Sequence, residues 1–441
     1  MKNLQKTDKQ MYKLFNQELQ RQQNTLSLIP SENIISESIK ETIGSHLSNK
    51  YAEGYPNKRY YQGMEFIDEI ETLTINRAKK LFNVEYANVQ PYSGSIANME
   101  AYLSIIHPND KIMGLNLSSG GHLTHGSQVS FTGKLFKSIS YDIDKNKGID
   151  YKQLEKIALK EKPKVIIAGT TAYSKILDWK KFSQIAKKVN AYLIADISHI
   201  AGLIAAEVYP SPSNYADIIT TTTHKTLRGP RGAIIMVTKK GIKKDPDLIK
   251  KIQQTVFPGL QGGPHINTIA GIGVALKEAS SNKFKTYAKQ VIKNTKVLCQ
   301  ELQKYDFNII NNETESHLIL IDLQNKNMIG NLAAEALESV NIITNKNSIP
   351  FDPNPPFYPS GIRLGTPSIT TRNLKEKQIK QIAKLINETI DIIKQEKEKQ
   401  NINFSQEKKK ETRLKLISNC KKDLNKIKKQ VLEICKTFPI K

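Results

Sequence analysis

The sequence predicts an α/β fold. A large domain carries a mostly parallel, seven-stranded-type sheet between helices, and a smaller α+β domain follows it. Three observations lead there. Short β-branched runs recur at 165–168, 192–195, 218–222 and 233–237, and each is apolar on both faces. Strands of that kind need cover on both sides, which is the pattern of a parallel sheet. Helical stretches separate them, for example 178–189. At 441 residues the chain also exceeds what one small core serves, so a second domain is expected.

Taken in order, residues 8–24 read as an amphipathic helix. LSLIPSEN follows as an extended segment that its proline keeps out of helix. From about 67 to 240 helices and short strands alternate. A long helix over 283–304 leads to a second region with a strand candidate at 318–323, a helix at 330–340 and a Pro-rich loop at 350–359. The expected division is an N-terminal helical arm 1–25, a large domain 26–282, a small domain 283–396 and a basic helical extension 397–441. Within the end of the chain, the Lys- and Gln-rich stretch from about 393 reads as solvated, and LNKIKKQVLEI reads as an amphipathic surface helix. No internal repeat is present.

Composition narrows the function classes. No run of about 20 apolar residues occurs, and residues 1–10 are polar and lysine-bearing without a signal core, so the protein is expected in the cytosol. Cys299, Cys420 and Cys435 lie far apart without a CxxC pair, which argues against a zinc site or a disulfide framework; no metal is expected. The net charge is +24, yet only eight of the 66 basic residues are arginine. Base and phosphate readers favour the arginine fork. The charge is therefore read as solvated lysine faces, with weak, salt-sensitive attraction to polyanions and no specific nucleic-acid partner.

Three segments carry chemistry. TTTTHKTLRGPRG (220–232) presents His224 and Lys225 at a strand end before a Gly/Pro turn. Lysine forms Schiff bases with carbonyl groups, although a lysine by itself is ordinarily solvated surface. YLIADISHIAGL (192–203) ends a strand in Asp196, with His199 three residues on. A carboxylate there can hold a pyridine nitrogen protonated, or simply cap a helix. PYSGSIAN (91–98) is a Gly/Ser turn opening a helix, a place where N–H groups and hydroxyls hold phosphate. A phosphate-type turn, then a strand with Asp, then a strand with Lys is the layout of fold-type I pyridoxal-phosphate enzymes.

With these segments in place the chain resembles the serine hydroxymethyltransferase family from about 8 to 395. The resemblance is carried by SLIPSEN, NKYAEGYPNKRYYQG, QPYSGSIAN, LSSGGHLTHG, DISHIAGLIAA, TTTTHKTLRGPRG, VFPGLQGGP, TNKNSIP and SGIRLGTP, in that order. It implies conversion of serine and tetrahydrofolate to glycine and methylenetetrahydrofolate on pyridoxal 5'-phosphate. Lys225 would hold the cofactor as a Schiff base, Asp196 would pair with the ring nitrogen and His122 would stack on the ring. Ser93, Gly94 and Ser95 would hold the phosphate, with Thr222 and Arg231 beside the cofactor and Thr171 and His199 near the ring oxygen. Gly263, Tyr51 and Tyr61 would enter from a neighbouring subunit, which implies a homodimer with shared sites. Arg363 and Ser31 would bind the substrate carboxylate, and Glu53 would handle the serine hydroxyl and the folate side. His224 would influence which bond breaks. Tyr60, Leu117, Gly121, His122, Leu123, Asn347, Pro355 and Phe357 would line the folate pocket.

Departures from the family pattern are Pro30 before SEN, Thr171 for a common serine, Ser198 for a common alanine and Pro355 for a common serine. Pro355 removes an N–H donor and puts one folate contact in question. Two other readings compete: a folate-independent fold-type I aldolase, such as a threonine aldolase, and an RNA-binding role on the same scaffold. The folate-facing segments and Glu53 favour the first reading.

Overall fold

A computed structural model describes residues 2–144 and 148–440. The chain divides into two compact units. One comprises Asn33–Lys289 with Glu315–His317, and the other comprises Met1–Glu32, Gln290–Thr314 and Leu318–Lys441. One division thus falls inside the helix Asn282–Lys304, and the N-terminal segment through Glu32 belongs with the C-terminal unit.

The first unit is built on seven strands: β1 (Tyr86–Asn88), β2 (Lys111–Leu115), β3 (Lys137–Tyr141), β4 (Val165–Gly169), β5 (Tyr192–Asp196), β6 (Ile218–Thr222) and β7 (Ala233–Val237). Their order is β1-β7-β6-β5-β4-β2-β3. β2 to β6 run parallel to one another, and β7 runs antiparallel to both β6 and β1. All five residues of β4, β6 and β7 are buried, as a centrally placed strand requires. The sheet's carboxyl edge gathers the ends of β5 and β6, where Asp196 stands opposite Thr220. Helices cover it; Trp179–Lys188 packs on β4 and β5, and Gly94–Leu103 packs on β6 and β7. β1, β2 and β3 were not foreseen. The edge strand β3 buries only Tyr141 of its five residues, so its sequence has no continuous apolar run.

The second unit has a four-stranded antiparallel sheet of β8 (Asn308–Ile309), β9 (Leu318–Asp322), β10 (Asn345–Asn347) and β11 (Gly361–Gly365), in the order β8-β9-β11-β10. Gly365 N–H bonds Leu28 O at 2.7 Å. A Cβ at Gly365 would come within 2.7 Å of Pro30 Cα, so the glycine lets the proline-bearing segment lie against the strand.

The Lys- and Gln-rich stretch from about 393 lies largely at the surface, as its composition suggested, but is helical for much of its length, and LNKIKKQVLEI lies in a helix whose apolar face is buried. KQEKEKQ is the end of the helix Glu376–Lys399, and the helices Lys410–Asn419 and Lys421–Thr437 complete the unit's core. Leu416, Leu424, Ile427, Val431 and Ile434 join Leu26, Leu28, Leu332 and Ile382 in one cluster. Charged groups close its edges. Lys397, 4% exposed, pairs with Glu407, 1% exposed, at 2.7 Å, and Glu407 also accepts from Ile329 N–H at 2.9 Å. Arg413 forks onto both oxygens of Glu335 at 2.8 Å. Arg372 donates to the carbonyls of Gln23, Thr25, Cys435 and Phe438.

Candidate active site

The chemistry-bearing residues of the first unit gather at the carboxyl edge of its sheet. Asp196 ends β5 and is 8% exposed. Its Oδ1 accepts from Ser198 N–H at 3.0 Å, and its Oδ2 accepts from Asn98 Nδ2 at 3.0 Å and lies 2.9 Å from His125 Nε2. His125 Nδ1 accepts the His122 backbone N–H at 3.2 Å, so the ring proton sits on Nε2 and points at Asp196. Burial pushes the carboxyl up, but the hydrogen bond from His125, the nearby His122 and the Ser198 N–H outweigh it. They hold Asp196 well below the usual carboxylate range. The cap of the next helix, Ala201–Ala205, is Ile200, so Asp196 is not serving as its N-cap.

Lys225 follows β6 on the adjacent strand. Its Nζ is 3.2 Å from Thr222 Oγ1, Thr222 N–H bonds Ser198 Oγ at 3.0 Å, and Ser198 N–H bonds Asp196. Lysine and aspartate therefore stand on neighbouring parallel strand ends, linked through Thr222 and Ser198. Ser93 caps the helix Gly94–Leu103 without spending its side chain on a capping bond, and Ser93 and Ser95 are both exposed. Gly94 lies against Thr222, where a Cβ would come within 2.5 Å of Thr222 Cγ2. The phosphate-type turn thus meets the lysine strand without a side chain between them.

His122 opens the short helix Leu123–His125; its Nδ1 accepts Thr124 N–H and sits 2.8 Å from Thr124 Oγ1. Thr171 Oγ1 donates to Gly121 O at 3.0 Å and Gly120 O at 3.3 Å, fixing the 117–123 loop with the hydroxyl that a serine would also supply. His199 is buried with Nδ1 3.1 Å from His317 Nε2. Arg231 is exposed.

A second grouping of the same unit surrounds Glu53. Tyr51 OH donates to Glu53 Oε1 at 3.1 Å, the rings of Tyr51 and Tyr61 meet edge to face at 5.1 Å, and Gly263 lies on the Tyr51 ring. Tyr92, next to Ser93, donates its hydroxyl to Gly263 O at 2.9 Å. Tyr60, 73% exposed, packs on Phe257, while Leu117 and Leu123 are exposed and Gly121 is buried. Ser31, Asn347, Pro355, Phe357 and Arg363 belong to the other unit. There Arg363 lies in β11 with Nε 3.2 Å from Asn345 Oδ1, and burial lowers its guanidinium to about 10, so it stays cationic at neutral pH.

Sequence reasoning missed His125, Asn98 and His317. His125 carried a signal, since HLTHG puts two histidines three residues apart on one short helix. Asn98 carried one too: it follows the phosphate-type turn by one helical turn, with its Oδ1 taking the Thr220 hydroxyl at 2.7 Å. His317 comes from a distant three-residue segment and left no local trace.

His224 gives the site a measurable pH signature. Burial, with Lys225 and Arg231 nearby, lowers its imidazole from 6.5 to about 3. Above pH 6.5 it is neutral in both folded and unfolded chains and contributes nothing. As pH falls from 6.5 towards 3, the unfolded chain takes a proton that the fold refuses, so stability declines. Between pH 7 and 5 the loss is about 2 kcal/mol, and His224→Asn should remove it. Urea midpoints of both cofactor-free proteins at the two pH values test this, and parallel declines would refute it.

A family model described as serine hydroxymethyltransferase matches residues 4–386. The mixed, helix-flanked sheet with lysine and aspartate at its carboxyl edge is the arrangement of a fold-type I pyridoxal-phosphate enzyme.

Proposed function

The chain belongs to the serine hydroxymethyltransferase family, and from that membership we propose that it interconverts L-serine and tetrahydrofolate with glycine and 5,10-methylenetetrahydrofolate, using pyridoxal 5'-phosphate held by Lys225. The observation that carries the reading is the Lys225–Thr222–Ser198–Asp196 linkage across two adjacent strand ends. The residues present fit the group: an amine, an ionised carboxylate at the end of the adjacent strand, and an unspent serine turn at a helix N-terminus beside a glycine.

When bound, pyridoxal phosphate supplies the electron sink for cleavage at the substrate α-carbon. Asp196, ionised at neutral pH, keeps the ring nitrogen protonated, and His122 covers the ring face. Ser93, Gly94 and Ser95 hold the phosphate with Thr222 and Arg231, while Thr171 and His199 serve the ring oxygen. Gly263, Tyr51 and Tyr61 complete a neighbouring subunit's site, which makes the working form a homodimer. Arg363 grips the substrate carboxylate with two parallel bonds, assisted by Ser31. Glu53 moves the proton between the serine hydroxyl and the folate side, and neutral His224 biases which bond breaks. Tyr60, Leu117, Gly121, Leu123, Asn347, Pro355 and Phe357 receive the pteridine. The setting is cytoplasmic; among the described residues no helix is long and apolar enough to cross a membrane.

Glycine release from serine with and without tetrahydrofolate tests the reaction, and folate-independent turnover at the full rate would favour an aldolase instead. Arg363→Ala removes two charged bonds of roughly 1.5–3 kcal/mol each, so serine KM should rise roughly 10²–10⁴-fold while cofactor content is retained. An unchanged serine affinity would refute the clamp.

A further inference from the structure

One buried guanidinium grips the backbone on both sides of Glu53. The Arg59 side chain is 3% exposed. Its Nη1 donates to Ala52 O at 2.9 Å and to Gly54 O at 2.8 Å, the carbonyls immediately before and after Glu53. The carbonyl of Glu53 itself accepts Tyr60 N–H at 3.1 Å. Three successive carbonyls are thus held by residues 59 and 60. Gln90 adds a second hand, its Nε2 donating to Gly54 O at 3.0 Å and to Glu71 Oε1 at 2.8 Å.

The clamp is itself fixed. Arg59 Nε bonds Asp68 Oδ1 at 2.8 Å, and Nη2 bonds Glu71 Oε2 at 2.6 Å, where the Glu71 side chain is 1% exposed. Asp68 Oδ2 takes the N–H of Asn57 at 2.7 Å, in the turn of the Gly54–Tyr55/Lys58–Arg59 hairpin. Gly54 stands at φ 99° with Lys58 O where a Cβ would have to go, so the hairpin closes on itself only with glycine there. A planar fork is required for this arrangement; a single ammonium cannot serve two carboxylates and two carbonyls at these angles.

We infer that Arg59, with Gln90, is a positioning residue for Glu53: it fixes the backbone from which the proton-handling carboxyl projects. The inference rests on the proposed role of Glu53. A shift of about 1 Å in a reacting group can lower a rate on the order of 10²-fold, and three held carbonyls are the means of preventing one.

A double-mutant cycle on the cofactor-loaded enzyme tests it, with cofactor content and melting temperature recorded for each protein. Arg59→Lys keeps a cation for Glu71 and Asp68 but releases the carbonyls. It should lower kcat for serine with tetrahydrofolate roughly 10–100-fold, with serine KM within about twofold and cofactor content unchanged. Introduced into Glu53→Gln, the same change should lower kcat by less than about threefold, because residues acting as a unit are not additive. Losses that multiply in full would overturn the inference and leave Arg59 a structural residue. Should Arg59→Lys not fold, Gln90→Met runs through the same cycle with a smaller expected loss and the same criterion. Full activity in Glu53→Gln alone would instead overturn the role of Glu53, an outcome readable separately from the coupling.

Discussion

Replacing Lys225 by alanine is expected to end covalent retention of the cofactor and to lower glycine formation from serine on the order of 10³-fold or more, the scale seen when a nucleophile is removed from a catalytic unit. The fold should survive. Lys225 lies beyond the end of β6, whose five residues are buried regardless, and Thr222 Oγ1, which its Nζ contacts, keeps its contact with Ser198 O at 3.4 Å. Neither the neighbouring His224 imidazole nor the Arg231 guanidinium is a primary amine that could take its place. Borohydride reduction of the loaded protein followed by intact-mass measurement decides the matter. Wild type should carry the reduced cofactor and Lys225→Ala should not; an adduct on the variant would place the attachment on a different lysine.

Asp196→Asn is expected to be nearly as damaging for a different reason. The substitution is isosteric but neutral, so in the proposed role the ring nitrogen would lose the anion that holds its proton, and kcat should fall roughly 10²–10⁴-fold even at saturating cofactor. There is also a stability effect. Asp196 accepts from Ser198 N–H on one oxygen and from Asn98 and His125 on the other. Asparagine has one acceptor and one donor, so one of those donors must face an N–H₂ group at a cost of about 1–3 kcal/mol. Steady-state kinetics with a cofactor titration separates the two effects. A kcat within a few-fold of wild type once cofactor is saturating would remove Asp196 from the chemistry.

Much of this site was legible because its two principal residues lie at or just beyond the ends of buried strands. β5 runs apolar until Asp196 closes it, and β6 ends in a threonine run that leads to Lys225 three residues on. What supports those residues was less legible. His125 and Asn98 hold Asp196 from other elements; their local spacing marks them as neighbours of the site, but not as partners of that carboxylate. The strands Tyr86–Asn88 and Lys137–Tyr141 escaped because one is short and the other sits at an edge with solvent on much of it. The C-terminal region was legible in part. The period of LNKIKKQVLEI marked Leu424, Ile427, Val431 and Ile434 as one apolar face, but its charge suggested a surface helix, whereas these residues join Leu416 and Cys420 in the unit's core.

That C-terminal packing bears on how the chain is made. The unit containing Lys225 is almost continuous, Asn33–Lys289, and can begin to close as soon as it leaves the ribosome. The other unit joins both extremes of the polypeptide: Leu26 and Leu28 share a cluster with Val431 and Ile434, and Arg372 binds carbonyls of Gln23 and Cys435. At a synthesis rate of about 5–20 residues per second, the stretch from 290 to 435 takes roughly 7–30 seconds. During that interval the cluster around Leu26 and Leu28 is incomplete: Ile342 and Gly365 emerge part-way through it and Val431 and Ile434 only at its end, so these leucines stay open to aggregation, or to capture by a chaperone, longer than the core of the first unit.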